Sequence, residues 1–261
     1  MSRARPGHGP VVLVAAGLDP TGGAGLLADA EALRAVGARA QAVATALTIQ
    51  GPAGAFGYQA VSRSLFERQV EGLLAGRRDR PAAVKVGMLG SGEVARAMAT
   101  FCRGRLSGLP LVVDPVLKAS AGLPLLADAR GRPAAVLLAP LFACATLITP
   151  NWPELEVLSG AAPGSLCRED DAVEAARSLG GRGVLVKGGH RRGAPVDLLV
   201  TGREVRRFEG RRRPFTARGT GCRLSSAIAG LLAAGATLPE AVRAAKRYVE
   251  RYLDLEGRLR G

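Results

Sequence analysis

The chain has 261 residues, of which 48% are hydrophobic and only 4% aromatic, and it carries a formal net charge of +14. This length and apolar content suit one large α/β domain whose core is built from Leu, Val, Ala and Ile. The charge suggests a polyanionic partner, but the basic residues are spread along the chain and no aromatic residues alternate with them. Nucleic-acid binding is therefore disfavoured as the main function.

Strand and helix patterns alternate along the chain. Strands are predicted at 11–16, 41–49, 83–86, 111–113, 146–149 and 184–187. Helices are predicted at 22–36, 64–75, 92–106, 153–158, 170–179, 221–236 and 238–255, and a β-hairpin at 197–201 and 204–208. We predict an α/β fold with a central, mostly parallel sheet, helices on both faces and a small β-hairpin flap. A flexible tail, residues 1–10, precedes a single domain, 11–261.

The cysteines and the first apolar run indicate the compartment. The chain has four cysteines without CxxC spacing and only two histidines, a pattern that suits neither a zinc site nor a disulfide framework. The apolar run at 11–17 is too short for a signal peptide or a membrane span. We therefore expect a cytoplasmic protein without a membrane partner.

The glycine-rich stretch at 217–226 carries the strongest chemical signal. Gly219 and Gly221 let successive N–H groups converge at the start of the predicted helix, where the helix dipole also favours an anion. Cys222 lies inside this loop, and a thiol in such a field is expected to ionise easily. A phosphate cradle beside a base is what a small-molecule kinase needs. The alternative is a glycine turn followed by a core-facing cysteine.

The end of the first predicted strand carries a second glycine-rich segment, residues 17–25. Within it, residues 23–28 match the GxGxxA dinucleotide fingerprint, but the glycines do not follow the strand directly and no acidic residue comes about 20 positions later. We prefer a substrate loop that touches a flat ligand. Asp29, one turn into the helix, could accept hydrogen bonds from that ligand, or be a solvated charge on the helix face.

Two further strand ends offer contacts for a heterocycle. Gln50 has both a donor and an acceptor for a heterocycle edge, although a lone Gln is more often plain surface. Met88 is a soft wall for a ring, or a core methionine. Ligands in open α/β sheets bind at the carboxyl ends of strands, which is where both residues fall.

Oxygen ligands follow two later strands. Asp114 is a candidate acid for a magnesium or phosphate site, or opens a turn before proline. Asn151 and Glu154 are spaced to face one hydrated Mg²⁺, or to cap the next helix. After the sixth strand, 186–190 forms a glycine turn that could approach a nucleotide, or a tight β-turn.

Taken together, these segments resemble the ribokinase-like superfamily and, within it, the hydroxymethylpyrimidine/phosphomethylpyrimidine kinases of thiamine biosynthesis. The resemblance extends from residue 11 to about 253. Its carrying segments are residues 17–29, 45–50, 85–89, 112–116, 148–154, 186–190, 196–199 and 219–227. The cysteine of Gly-Thr-Gly-Cys separates this branch from the sugar kinases, which usually have Asp there.

The resemblance implies a reaction and a role for each matching residue. The γ-phosphoryl group of ATP would pass to the hydroxymethyl group of a pyrimidine, then to the resulting monophosphate, in a protein that is a homodimer. The residues implied to hold the pyrimidine are Gly17, Asp29, Gln50, Met88 and Val116. Those implied for ATP and Mg²⁺ are Asp114, Asn151, Glu154, Lys187 and Gly189, with Asp114 and Glu154 as the metal ligands. The anion hole is implied at Gly219, Thr220, Gly221 and Cys222, with Cys222 as the general base.

The chain departs from the family pattern at four places. Arg218 and Arg223 stand where the family usually has His and Thr, and the loops at 50–52 and 118–123 differ. Two guanidinium groups beside the phosphoryl site would help to bind a phosphorylated substrate, or would replace lost phosphate contacts.

Three other functions stay open at this point. A pyridoxal or pyridoxine kinase of the same fold also phosphorylates a hydroxymethyl group. A non-catalytic relative would keep the pyrimidine pocket and have lost turnover through the two arginines. A nucleic-acid-binding protein would use the arginines at 206–213, which otherwise form a solvated hairpin face.

Overall fold

The structure, a computed structural model, describes residues 9–51, 53–76, 79–118, 122–190 and 193–260. Its strands are β1 (Val11–Leu18), β2 (Arg39–Gly51), β3 (Gly54–Ala60), β4 (Ala83–Val86), β5 (Gly90–Ser91), β6 (Leu111–Val113), β7 (Leu126–Ala127), β8 (Leu147–Ile148), β9 (Val184–Val186), β10 (Val196–Thr201) and β11 (Glu204–Glu209). Its helices are α1 (Gly25–Ala35), α2 (Arg63–Ala75), α3 (Gly92–Arg103), α4 (Ala134–Phe142), α5 (Trp152–Ser159), α6 (Glu169–Ser178), α7 (Thr220–Ala233) and α8 (Leu238–Arg260). The predicted tail lies outside the described residues up to position 8.

Nine strands form one sheet in the order β11-β10-β9-β8-β6-β4-β1-β2-β3. The six strands from β9 to β2 in this order are mutually parallel, and antiparallel strands flank them on both sides. The pairing of β1 with β2 shifts register between Ala16 and Gly17, where β1 reaches its carboxyl end. Because parallel strands end at the same edge, this edge collects the residues of the candidate site.

Helices cover both faces of the sheet because the apolar residues of its central strands alternate between them. Leu13 and Ala15 of β1 point into the core formed with α2, α3, α4, α5 and α6. Val12 and Val14 point into the core formed with α1, α7 and α8. In the described part of the chain, no helix is long and apolar enough to cross a membrane.

The predicted fold class is confirmed, and the differences concern elements with ambiguous patterns. β3 was not predicted, because its two glycines resemble a loop. α4 was also missed, since it is apolar on nearly all sides and contains Pro140. The predicted hairpin is β10–β11, and it extends the sheet at one edge. The antiparallel strands that lie beside the candidate site, where a flap is predicted, are instead β2 and β3.

The arginines of the predicted hairpin face take local partners. Arg206 and Arg207 bond to Glu204 and Glu169, and Arg213 bonds to Asp254 of α8. Arg212, which follows β11, donates to the carbonyls of residues 189 and 193. It thus ties its own segment to the connection between β9 and β10. These contacts describe an ion-paired surface on which Arg206 and Arg207 are solvated and Arg213 is largely buried.

Candidate active site

The glycine loop begins α7 with a conformation that only glycine adopts easily. Gly219 is the N-cap, with φ of +68°, and a Cβ there would lie 2.1 Å from the carbonyl oxygen of Gly23. No side chain caps this end of α7. The first N–H groups of the helix therefore remain for an anion, as the sequence predicts. On the other side, a Cβ on Gly221 would lie 3.2 Å from Nζ of Lys187.

Cys222 lies in the first turn of α7, with a half-buried side chain. Burial raises the pKa of its thiol to about 11, although the Lys85 ammonium and the backbone N–H of Gly25 oppose that rise. The prediction that this loop makes the thiol ionise easily is therefore wrong for the ligand-free protein. Loss of hydration by the thiolate outweighs the field of the loop.

A buried ion pair forms the floor of the site. The Nζ atom of Lys85 in β4 lies 2.8 Å from both carboxylate oxygens of Asp29 in α1, and both side chains are fully buried. The Ser226 hydroxyl donates to the same carboxylate at 2.8 Å. Ser226 lies four residues after Cys222 on α7, so the two side chains share one face of that helix.

This placement bears on the predicted role of Asp29 as a pyrimidine ligand. Burial raises the pKa of Asp29, and the Lys85 ammonium opposes that rise. Its two oxygens are occupied by Lys85 and Ser226, and its side chain has no exposed surface. The solvated helix-face alternative is therefore wrong, and direct contact between Asp29 and a ligand would require these bonds to rearrange.

The ends of β6, β8 and β9 bring together Asp114, Glu154 and Lys187. The Lys187 ammonium is 2.7 Å from Oδ1 of Asp114 and 3.8 Å from Oε2 of Glu154. Asp114 also accepts hydrogen bonds from Thr149 and Ser225. Burial opposes ionisation of Asp114, but the ammonium groups of Lys187 and Lys85 and these hydrogen bonds leave its pKa below the ordinary value.

Asn151 and Glu154 hold each other in a capping box at the start of α5. Oδ1 of Asn151 accepts from the Glu154 N–H, and Oε2 of Glu154 accepts from the Asn151 N–H, both at 2.8 Å. The capping alternative is thus confirmed for this pair, and Oδ1 of Asn151 already accepts one hydrogen bond. Burial raises the pKa of Glu154 to about 7.

The charges of this cluster fit a divalent cation. Two buried carboxyl groups face one ammonium, and a bound cation would favour the ionised form of Glu154. In the described part of the chain, no group of three or more His, Cys, Asp or Glu side chains could hold a metal by itself. Mg²⁺ suits such a place, because it usually takes one or two carboxylates, keeps water and binds substrate phosphates.

Three of the predicted pyrimidine residues lie together near the carboxyl end of β1. A Cβ on Gly17 would meet Sδ of Met88 at 2.8 Å, and Met88 packs in one cluster with Val116 and Leu125. The Thr45 hydroxyl donates to the Met88 carbonyl at 2.5 Å and fixes the backbone there. A side chain at residue 17 would therefore displace Met88.

Gln50 is held by a chain of hydrogen bonds. Its Nε2 donates to the Thr48 hydroxyl at 2.8 Å, which donates to the Leu18 carbonyl at 2.9 Å. Its Oε1 accepts from Nη2 of Arg218 at 2.6 Å. The same Nη2 is 3.2 Å from Oδ2 of Asp19. Arg218, which directly precedes the N-cap of α7, thus ties Gln50 to the glycine loop.

Arg223 does not lie in the phosphoryl site. Its guanidinium bonds to Glu31 at 2.6 Å and to the Gly23 carbonyl at 3.1 Å, and stacks 4.2 Å from the ring centre of Tyr252. The expectation that both arginines flank the phosphoryl group is therefore wrong for this one. Arg223 ties α7 to α1 and α8.

Sequence reasoning missed the structural roles of two buried residues, the carboxylate Asp19 and the lysine Lys85. Asp19 is buried and accepts from Thr21 and from the Ala24 N–H, so it shapes the loop between β1 and α1. Lys85 lies in the predicted strand 83–86 and was given no role of its own. A lone lysine inside the buried strand 83–86 was the available signal, because a buried ammonium needs a buried partner.

The comparisons with known proteins agree with this geometry. The model of the family "Phosphomethylpyrimidine kinase" matches residues 19–259. The chain belongs to the phosphomethylpyrimidine kinase family. It is therefore a phosphotransferase.

Two curated relatives of the chain bear names from thiamine biosynthesis. A thiamine biosynthesis bifunctional protein of Geobacter sulfurreducens is 41% identical over 91% of the chain, which spans about half (48%) of that protein. A hydroxymethylpyrimidine/phosphomethylpyrimidine kinase of Streptomyces coelicolor is 38% identical, covering 92% of the chain and 87% of the relative.

Solved structures place the fold among vitamin kinases. A crystal structure of phosphomethylpyrimidine kinase from Clostridium difficile has a TM-score of 0.78 and 32% identity, covering 94% of the chain and 99% of its own. A pyridoxal kinase of Staphylococcus aureus in complex with AMP-PCP and pyridoxal has a TM-score of 0.78 and 27% identity, covering 92% and 86%. The chain shares the ribokinase-like fold of these kinases, and that neighbour binds an ATP analogue.

Proposed function

We propose that the protein transfers the γ-phosphoryl group of ATP to 4-amino-5-hydroxymethyl-2-methylpyrimidine, here called the pyrimidine alcohol. We propose that it also phosphorylates the resulting pyrimidine monophosphate to the diphosphate, for thiamine diphosphate synthesis. The observation that carries this proposal is the uncapped start of α7, which contacts the β1–α1 loop at Gly219 and approaches Lys187 at Gly221. A cradle between a ring site and a charged cluster suits in-line transfer between two bound molecules.

The charged cluster is the proposed site for the nucleotide phosphates. Lys187 would neutralise charge on the transferring group, and Gly189 follows it in the turn after β9. Asp114 and Glu154 would hold Mg²⁺, which would offset the negative charge of the nucleotide phosphates when bound. Asn151 would act indirectly, because it fixes the backbone and the carboxylate of Glu154.

The residues of the cradle are proposed to position and stabilise the transferring group. The N–H groups of 220–222 would bind its oxygens, in a geometry set before the reaction. The raised pKa of Cys222 leaves only about one thiolate in 10⁴ molecules at pH 7. Cys222 therefore serves the alcohol as a proton acceptor only in its rare thiolate form, and the proton leaves late in a loose transition state.

A second candidate activity is phosphorylation of pyridoxal or pyridoxine. It is supported by the likeness to the pyridoxal-bound kinase, since that ring also carries a hydroxymethyl group. An ATP-coupled assay across the pyrimidine alcohol, its monophosphate and pyridoxine tests both proposals. Turnover on pyridoxine alone would overturn the main one, and binding without ADP release would indicate a non-catalytic relative.

We also propose a homodimer that works in the cytoplasm. Three large apolar side chains on the β2–β3 pair support the dimer, since Leu47, Ile49 and Phe56 are 50%, 61% and 67% exposed. In the described part of the chain, none of the four cysteines forms a disulfide, in keeping with a reducing compartment. Sedimentation of the purified protein tests the dimer, and a monomer at micromolar concentration would contradict it.

A further inference from the structure

Arg218 occupies a distinctive place between the two halves of the candidate site. It directly precedes the N-cap of α7, and its Nη2 atom makes both bonds described above, to Gln50 and to Asp19. Its side chain is 41% exposed. Within the described residues, neither Nε nor Nη1 has a protein acceptor. These N–H groups are therefore the unused donors of this side chain.

The other basic side chains described around the glycine loop are already committed. Lys85 is fully buried against Asp29. Lys187 is bonded to Asp114 on the nucleotide side. Arg223 is buried against Glu31 and Tyr252. Of these four cations, Arg218 is the one that combines exposure, unused donors and a position on the ring side.

We propose that Arg218 is a specificity-determining residue that binds the phosphate of the pyrimidine monophosphate. This inference rests on the proposed function and deepens it. In the second transfer, an oxygen of that phosphate forms a bond to the γ-phosphorus of ATP, and the bond from this phosphorus to the β–γ bridging oxygen breaks, releasing ADP. The attacked phosphoryl group must lie at the cradle. The substrate's own phosphate then lies beside residue 218.

Binding the phosphate would change two protein contacts at this position. Arg218 is 41% exposed but Asp19 only 2%, so losing this ion pair has a cost that the bonds to the phosphate must offset. Asp19 keeps its bonds from Thr21 and Ala24 when Arg218 turns away. Movement also frees Oε1 of Gln50, which can then accept a hydrogen bond from the amino group of the pyrimidine. A guanidinium can meet phosphate with two parallel hydrogen bonds.

The chemistry of the second transfer also suits this chain. The attacking phosphate oxygen is already ionised at neutral pH, so this step has no proton to remove. A neutral Cys222 thiol is then no obstacle, whereas transfer to the alcohol must dispose of a proton. Arg218 and the thiol together favour the monophosphate over the alcohol.

The test compares both substrates across variants of Arg218 at saturating ATP. Arg218→Met removes the charge, Arg218→Lys keeps it without the planar fork, and Arg218→His restores the usual family residue. Arg206→Met, on β11, is the matched control because it also removes one surface arginine charge. For Arg218→Met we expect KM for the monophosphate to rise about 10- to 100-fold, with kcat/KM for the alcohol changed less than about 3-fold. The KM of Arg218→Lys for the monophosphate should lie between those of wild type and Arg218→Met. The control Arg206→Met should match wild type on both substrates.

A binding measurement without turnover separates this role from a structural one. Added alone, the pyrimidine monophosphate should raise the Tm of the wild type and of Arg206→Met, and leave Arg218→Met almost unshifted. Equal losses on both substrates, an unchanged KM for the monophosphate, or a wild type active on the alcohol only would overturn the inference. A wild type that phosphorylates neither pyrimidine would instead overturn the proposed function itself.

Discussion

Breaking the Lys85–Asp29 pair should cost far more stability than removing it whole. Both side chains are fully buried, and the two Nζ–oxygen distances are 2.8 Å. Asp29→Leu leaves a buried ammonium without a partner, and Lys85→Met leaves a buried carboxylate. Each single variant should lose about 3–5 kcal/mol of unfolding free energy. The double variant should lie within about 2 kcal/mol of wild type, because no buried charge remains.

The Ser226 hydroxyl makes the two single variants unequal. In Asp29→Leu it loses its acceptor, at a further cost of about 1 kcal/mol. In Lys85→Met the carboxylate keeps that bond and can take up a proton, since burial already raises the pKa of Asp29. We therefore expect Asp29→Leu to be the more damaging change. Lowering the pH should rescue Lys85→Met and not Asp29→Leu.

Urea unfolding followed by circular dichroism measures these differences. The double-mutant cycle should give a favourable coupling energy of at least about 3 kcal/mol. Glu67→Gln is the control, because it breaks the exposed Arg63–Glu67 pair of α2 and should leave the unfolding midpoint unchanged. Strictly additive single effects, or losses as small as the control's, would refute the idea that this buried pair forms the floor of the site.

Three other changes test the site itself. Cys222→Ala should lower kcat on the pyrimidine alcohol by about 10²–10⁴ with little effect on ATP binding, and wild-type turnover would make the thiol structural. In wild type, alkylation of Cys222, followed by mass spectrometry, should quicken up to about pH 11, and a plateau near pH 8 would contradict the raised pKa. Gly219→Ala should lose at least about 1–3 kcal/mol and most activity, because its φ is +68° and Gly23 lies in the way; urea unfolding and turnover check both. Glu154 has a pKa raised to about 7, so the folded metal-free protein holds its proton more tightly than the unfolded chain. The free energy of unfolding should therefore fall as the pH rises from about 4.5 to 7. Glu154→Gln should remove that slope in urea titrations, and an unchanged slope would contradict the assignment.

The sequence predicts the sheet well, together with the edge of the sheet that carries the candidate site. Periodic apolar runs bounded by turn residues report local structure directly. It fails where the local pattern is ambiguous. β3 contains two glycines, and α4 is apolar almost all round, so neither has a clear period. In both, pairing or packing with distant residues decides the structure.

Residue roles within the site are harder to read than their location. The Asn151–Glu154 spacing fits a metal pair and a capping box equally well, and only coordinates separate the two. Lys85 and Asp29 are 56 positions apart, so nothing local announces their bond. The same holds for Arg223, whose neighbours on α1 and α8 turn it away from the phosphoryl site.

The bonds that join α1 to α7 separate a part of the molecule that must keep its sequence from a part that can accept substitutions. The Ser226–Asp29–Lys85 contacts lock the cradle onto the central strand, whereas the β2–β3 pair that carries Gln50 lies at the open border of the sheet. Substitutions in that border ribbon can reshape the acceptor pocket without disturbing the transfer machinery. A directed-evolution library for new alcohols belongs there, and residues buried under the cradle should be left out of it.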